Sequence, residues 1–299
     1  MAILRHGSSK MLRPVMLPLL VLLFALSLWA AWGNQAADTH GRLQLISEQR
    51  SIEPGREFWI GLRFNLEKGW HIYWTNPGDS GEPPKVSWEL PAGFRAGDLQ
   101  WPAPQRLDHP PLTDFGYEGE VLLLARITPP TRLGGGGGNA VLAADVKWLV
   151  CRDICIPAHR RVTLSLPVKP ITQGAPKADP NWRVLFKRTR ARLPRPAPPN
   201  WKSTAVALGK DFVLSIESGA SQKGALQPQA TFFPFEPLQI ENAAPQHASA
   251  TPRGIRLTLE KSDQLLKPIA NLKGVIVLGN GRAYLIDAPV LQNKRRTSP

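Results

Sequence analysis

Most of this chain is cut into apolar segments of five to nine residues, and no long amphipathic helix lies between them. That spacing restricts the fold more than any other feature. Leu43-Gln44-Leu45-Ile46-Ser47, Glu57-Phe58-Trp59-Ile60-Gly61-Leu62-Arg63-Phe64 and Trp70-His71-Ile72-Tyr73-Trp74 alternate or run apolar at strand length. Asn76-Pro77-Gly78 carries turn chemistry after the third of them. Val86 to Leu90 alternates cleanly, whereas Val121 to Ala125 is apolar throughout and predicts a strand buried on both faces. Val141 to Val150 and Val162 to Val168 complete this group. The punctuation comes from 30 prolines and 25 glycines, a usage typical of short strands and turns. The expected class is all-β, an antiparallel sandwich.

With 299 residues, 42% of them hydrophobic, the chain can bury about two cores. Residues 1–37 have the layout of an export signal: Arg5, Lys10 and Arg13, an apolar run from Val15 to Trp32, then small residues. Ala31-Trp32-Gly33 and Ala36-Ala37 are the cleavage candidates, and an uncleaved membrane anchor is the alternative. A first sandwich is expected over 38–170. The glycines from Gly134 to Gly138 form a loop inside it, with no Lys-Ser/Thr to cradle a phosphate. Asp179-Pro180 predicts a helix start, so a short basic helix should run from Pro180 to Leu193. Pro194, Pro196, Pro198 and Pro199 then make a stiff linker to residue 200. A second sandwich is expected over 201–291, with strands at Phe212–Ile216, Ile255–Leu259 and Gly274–Leu278. Asn280-Gly281 is a hairpin signal before Ala283-Tyr284-Leu285-Ile286. Phe232, Phe233 and Phe235 should belong to a core rather than to an exposed docking patch. Residues 292–299 are a basic tail.

The net charge is +14, part of it in the two termini and part in Arg183, Lys187, Arg188, Arg190, Arg192 and Arg195. A solvated linker face accounts for that cluster; a surface for anionic lipid headgroups is the alternative. No nucleic-acid motif is present.

The chain has two cysteines, Cys151 and Cys155. Strand, turn, strand is the local reading, with Arg152-Asp153-Ile154 as a three-residue connection that sets the thiols opposite each other. A disulfide here closes a ring of about five residues and stabilises by only roughly 2 kcal/mol. A domain of this size does not need so small a clip, and the pair reads more naturally as a reagent. Lys147, Arg152, Arg160 and Arg161 would favour a thiolate if they lie close in space, while Asp153 would oppose it. His159 is a candidate proton acceptor. Cu(I) held by both thiols, with His71, His109 or His159 as further ligands, is the rival from the binding class. The spacing matches no structural zinc pattern. An adhesion-like sandwich with an inert disulfide is the second rival.

Trp148-Leu149-Val150-Cys151-Arg152-Asp153-Ile154-Cys155-Ile156-Pro157 closely resembles the active hairpin of the N-terminal periplasmic domain of the thiol:disulfide interchange protein DsbD family, in its ScsB-like branch. The segment from Lys68 through Trp70-His71-Ile72-Tyr73-Trp74 to Gly81 is similar to the strand and loop after that family's first hairpin. Asp114-Phe115-Gly116-Tyr117-Glu118-Gly119-Glu120 resembles its cap loop. The resemblance implies an immunoglobulin-like first domain, a periplasmic location and no cofactor or metal. It implies a membrane thiol reductase as electron donor and thioredoxin-like periplasmic proteins as acceptors. Cys155 would form the mixed disulfide and Cys151 would resolve it. Phe115 would cap the pair with Gly116 as hinge, beside Asp114 and Tyr117, while His71 and Tyr73 would face the thiols. Family members of full length continue into a multi-helix membrane domain and a thioredoxin-like domain, and this sequence stops before both; it would borrow electrons from another protein, or else it is a fragment. The three-residue spacer is shorter than in the best-known branch.

Overall fold

The computed structural model describes residues 40–133, 138–218 and 229–292. The expected export signal, the glycines at 134–137 and the tail from 293 lie outside the described residues. Among the described residues, no helix is long and apolar enough to cross a membrane.

Period-two alternation builds the first sandwich. Its strands are β1 (Gly41–Ser47), β2 (Phe58–Leu66), β3 (His71–Gly78), β4 (Lys85–Glu89), β5 (Arg95–Ala96), β6 (Gln105–His109), β7 (Leu112–Glu118), β8 (Glu120–Thr128), β9 (Asn139–Cys151) and β10 (Cys155–Pro167). One sheet has the order β1-β2-β8-β5; the other has β10-β9-β3-β7-β6, with β4 alongside β9. Phe58, Ile60, Leu62 and Phe64 of β2 face Leu142, Ala144, Val146, Trp148 and Val150 of β9 across a shared core. Every second residue points inward, as a pleated strand requires. Each such side chain contributes about 1.5–3 kcal/mol on burial.

β8 is apolar throughout because it is covered twice. Val121, Leu123, Ala125 and Ile127 face the inter-sheet core, whereas Leu122 and Leu124 pack outward with Ile46 against Leu185 and Phe186. Those last two belong to helix α1 (Arg183–Arg192). The helix starts three residues later than expected. Asp179 folds the chain into a turn first: its side chain accepts from the Asn181 N–H at 3.0 Å, and its carbonyl accepts from Trp182 and Arg183 at 3.2 and 3.0 Å. The basic face of α1 is partly spent on the sandwich, since Arg188 pairs with Glu120 and Arg190 with Glu48. The helix is therefore docked rather than part of a free linker.

The proline segment is also recruited. Arg195–Pro196 forms β11 and pairs in parallel with β18 (Ala283–Gln292). With β12 (Trp201–Leu208), β13 (Asp211–Ser218), β14 (Ala230–Pro234), β15 (His247–Thr251), β16 (Gly254–Glu260) and β17 (Asn271–Leu278), β18 makes one continuous hydrogen-bonded sheet in the order β14-β17-β18-β12-β13-β16-β15. The length of β18 makes this continuity possible. Its first part pairs with β17 and its last three residues pair with β12. Phe212, Leu214, Leu257, Phe232, Ile276 and Ile286 fill the second core. Asn280-Gly281 closes the β17–β18 hairpin, with Gly281 at φ 76° and the Asn280 side chain accepting from the Arg282 N–H. The architecture is all-β and immunoglobulin-like throughout.

The three phenylalanines divide between environments. Phe232 lies in the second core, while Phe233 joins the first, 5.1 Å from Phe115 and 6.3 Å from Trp74. Phe235 is 38% exposed and rests on Trp74 at the seam. Asn76-Pro77-Gly78 does not end β3 in a turn. The Asn76 amide donates to the Pro234 carbonyl at 2.8 Å, and the strand continues through a register shift to Gly78 at φ 89°.

Candidate functional site

β9 and β10 form an unbroken antiparallel ladder from Asn139↔Pro167 to Cys151↔Cys155. Branched residues at Val146, Val150, Ile156 and Val162 favour this extended pairing. Arg152-Asp153-Ile154 makes the turn, as expected, and the Arg152 N–H donates to the Ile154 carbonyl at 3.2 Å. Facing residues of antiparallel strands approach closely. The two cysteines have a Cα–Cα distance of 4.2 Å and are joined in a disulfide. The sulfurs are not equivalent: Cys151 is 2% exposed, while Cys155 is exposed.

A cavity of about 560 Å³ adjoins the disulfide. Its floor is β3 beside Cys151, where His71 and Cys151 are paired in register. The Tyr73 hydroxyl lies 3.2 Å from the Cys155 sulfur and 3.3 Å from the Ser80 hydroxyl. Ser80 in turn donates to Asp114 twice, from its N–H at 2.9 Å and from its hydroxyl at 3.0 Å. The result is a chain of polar contacts from the exposed cysteine to a buried carboxylate. Gly81 makes room for it. Its φ is 75°, and a Cβ there would fall 2.1 Å from the Tyr73 ring.

His71 is 1% exposed and neither ring nitrogen has a hydrogen-bond partner. Burial, and secondarily the neighbouring His109, push its pKa down to about 4. The His71 ring stacks 5.1 Å from that of His109 and meets Tyr73 edge-on at 5.2 Å, with the Asp114 carboxylate 3.8 Å away. Burial raises the pKa of Asp114, an effect opposed by its bonds from Ser80. Burial also raises that of Tyr73. At neutral pH His71 is uncharged and Tyr73 keeps its proton, so the phenol can donate to the Cys155 sulfur or to the Ser80 oxygen.

His71, Tyr73, Asp114, Cys151 and Cys155 therefore meet in one place. Phe115, Gly116 and Tyr117 do not line the cavity. They belong to a central strand of the sheet. Phe115 is fully buried against Phe233, and the buried Tyr117 hydroxyl donates to the Pro102 carbonyl at 2.6 Å. Gly116 packs on the Ile72 carbonyl, where a Cβ would sit at 2.1 Å. The segment that lines the cavity with the disulfide is instead the β6–β7 turn, Asp108-His109-Pro110-Pro111-Leu112. Sequence reading missed it along with Ser80, although the Pro110-Pro111 pair between two alternating segments marks a turn.

Of the nearby cations, Arg152 lines the cavity, but its guanidinium bonds to Asp153 and lies 5.2 Å over Trp70. Arg161 pairs with Glu89, and His159 with Asp145 at 2.7 Å, away from the cavity. No group of three or more potential metal-ligating side chains occurs among the described residues.

The sequence profile of the thiol:disulfide interchange protein DsbD, N-terminal family matches residues 43–167. Among solved structures, the chain is similar to the N-terminal periplasmic domain of ScsB from Proteus mirabilis. The identity is 15% and the TM-score 0.61, over 87% of this chain and 97% of that one. The periplasmic chaperone SfaE (11% identity, TM-score 0.22, 84% of this chain and 100% of that one) and the E. coli chaperone DraB (12%, 0.20, 84% and 97%) also align. No curated protein matches by sequence.

Proposed function

Because residues 43–167 form a DsbD N-terminal-like domain, a thiol:disulfide interchange module with a cysteine pair, we propose that this chain passes reducing equivalents between periplasmic proteins through Cys151 and Cys155. In this reading a membrane thiol reductase supplies the electrons and thioredoxin-like periplasmic proteins receive them. The domains of this family are periplasmic, which supports export of the chain.

The asymmetry of the pair carries the reading: Cys155 is exposed at the cavity and Cys151 is buried behind it. A donor thiolate attacks the Cys155 sulfur, the Cys151–Cys155 bond breaks, and Cys151 leaves as a thiolate that takes up a proton. The donor's second thiolate then attacks its own sulfur in the mixed disulfide. Cys155 is released and protonated, and two electrons and two protons have arrived. Delivery runs in reverse. The Cys155 thiolate attacks an acceptor disulfide, then Cys151 attacks Cys155, restoring the internal bond and leaving the acceptor a dithiol. The Tyr73 hydroxyl stabilises negative charge on Cys155 in both directions.

The test is the reduction potential of the pair in a glutathione buffer, followed by trapping. A potential near or above about −230 mV, with a mixed disulfide captured by Cys151→Ala and none by Cys155→Ala, is the expected outcome. A potential below about −300 mV would identify an inert structural bond.

A further inference from the structure

The hairpin whose turn lines the cavity beside the disulfide is built on an edge. β6 is the last strand of its sheet, so the β6–β7 turn is held from one side by β3 alone. β7 is anchored by the buried Phe115 and Tyr117, but an edge strand and turn so held should loosen easily. The second sandwich prevents this at two points. Arg106, on β6, donates from its two Nη groups to the carbonyls of Ala244 at 3.1 Å and Ala243 at 2.9 Å. Its Nε donates to Asp108, and Asp108 also accepts from the Thr113 hydroxyl across the hairpin, both at 2.8 Å. Next to this, the Asn242 amide donates to Asp79 at 2.8 Å, and the other Asp79 oxygen accepts from the Thr113 N–H at 2.7 Å. One short segment of the second sandwich, Asn242-Ala243-Ala244, thus grips both strands of the hairpin through two charged side chains. Asn242 is itself buried.

We infer that the second sandwich is a brace for the β6–β7 hairpin, and that Arg106, Asp79 and Asn242 are positioning residues that set how readily the hairpin yields to a partner entering the cavity beside the disulfide. The inference rests on the exchange reading for its biological meaning, but not for its geometry. A partner protein must bring a sulfur in line with the Cys155–Cys151 bond, through the cavity that Pro110, Pro111 and Leu112 help to line. The bonds to Ala243, Ala244 and Asp79 oppose that opening without touching either sulfur. They therefore govern the rate of access, while the reduction potential stays with the local chemistry of the pair.

The experiment uses the full chain and two probes, a water-soluble phosphine and a thioredoxin-like dithiol protein. Asn242→Asp places a carboxylate against Asp79; Arg106→Ala removes the grip on the two carbonyls, and Arg106→Lys restores part of it. Losing a hydrogen bond to a charged group is expected to raise the rate of phosphine reduction about tenfold. Amide hydrogen exchange should quicken over 106–113, the potential should be unchanged, and Arg106→Lys should fall between wild type and Arg106→Ala. Asn242→Asp decides the matter if Arg106→Ala does not fold. Wild-type reduction rates and wild-type exchange over 106–113 in the folded variants would overturn the brace. The two readings also separate. Faster phosphine reduction with no reaction towards the dithiol protein supports the brace and removes the exchange function. Equal, efficient reaction of every variant with the dithiol protein does the opposite.

Discussion

Tyr73 places a hydroxyl 3.2 Å from the Cys155 sulfur and 3.3 Å from the Ser80 hydroxyl. Tyr73→Phe keeps the ring against Gly81 and loses the hydroxyl with its contacts to Cys155 and Ser80. Without it the Cys155 thiolate loses about 1.5 kcal/mol, so its thiol pKa should rise by roughly one unit. The pH profile of alkylation of the reduced protein measures this; an unshifted profile would remove Tyr73 from the chemistry. His71 makes a second prediction. Its folded pKa of about 4 lies below the ordinary histidine value of 6.5, so the unfolded chain binds the proton more tightly. The stability from keeping His71 neutral is fully present above pH 6.5. It is lost as pH falls towards 4, by about 3 kcal/mol in all. Urea unfolding at pH 7 and pH 4 should show that loss, and His71→Gln should flatten it. The cysteines, His71, Tyr73 and Asp114 could be read from the sequence because they lie in recognisable strings. Ser80 could not, and His109 reads there only as a candidate copper ligand, since the pairing of β3 with β7 and of β7 with β6 brings them to the disulfide. Phe115 and Tyr117 occur in a string that resembles a loop, but strand alternation turns both rings into the core.

A strand that is apolar on both faces needs a cover on each, and α1 supplies the outer one for β8. Phe186 is fully buried there with Leu122 and Leu124. Phe186→Ala should cost about 3–5 kcal/mol, readable as a lower denaturation midpoint with an unchanged slope. The double burial of β8 was legible in its uninterrupted apolar run. The identity of its cover was not, because the helix carries five basic residues between 183 and 192 and reads as solvated. Its apolar contacts rest on two side chains, Leu185 and Phe186, and its charges find Glu48 and Glu120, which lie far away in sequence. The same holds for Arg195–Pro196, where composition announces a stiff linker and a parallel partner in β18 makes it a strand. Elements with local signals, such as the β9–β10 hairpin and the Asn280-Gly281 turn, appear where the sequence places them.

At the scale of the molecule, the two sandwiches share a seam as well as a linker. Phe233 is counted in the first core, Asn76 bonds to Pro234, and Arg106 and Asp79 are held by the second sandwich. Residues 40–292 should therefore melt in a single calorimetric transition with equal calorimetric and van't Hoff enthalpies; two resolved transitions would mean that the seam contributes little. The hairpin ladder has a further consequence. Thirteen residue pairs from Asn139↔Pro167 to Cys151↔Cys155 already hold the two sulfurs together, and the bond between them spans four positions of sequence. By thermodynamic reciprocity, what a disulfide adds to a fold equals what the fold adds to the disulfide. Both sides of that equality are small here, roughly 2 kcal/mol at most. A change of redox state at the pair thus leaves the same tertiary structure in place, so that oxidation and reduction of the two sulfurs are nearly decoupled from unfolding.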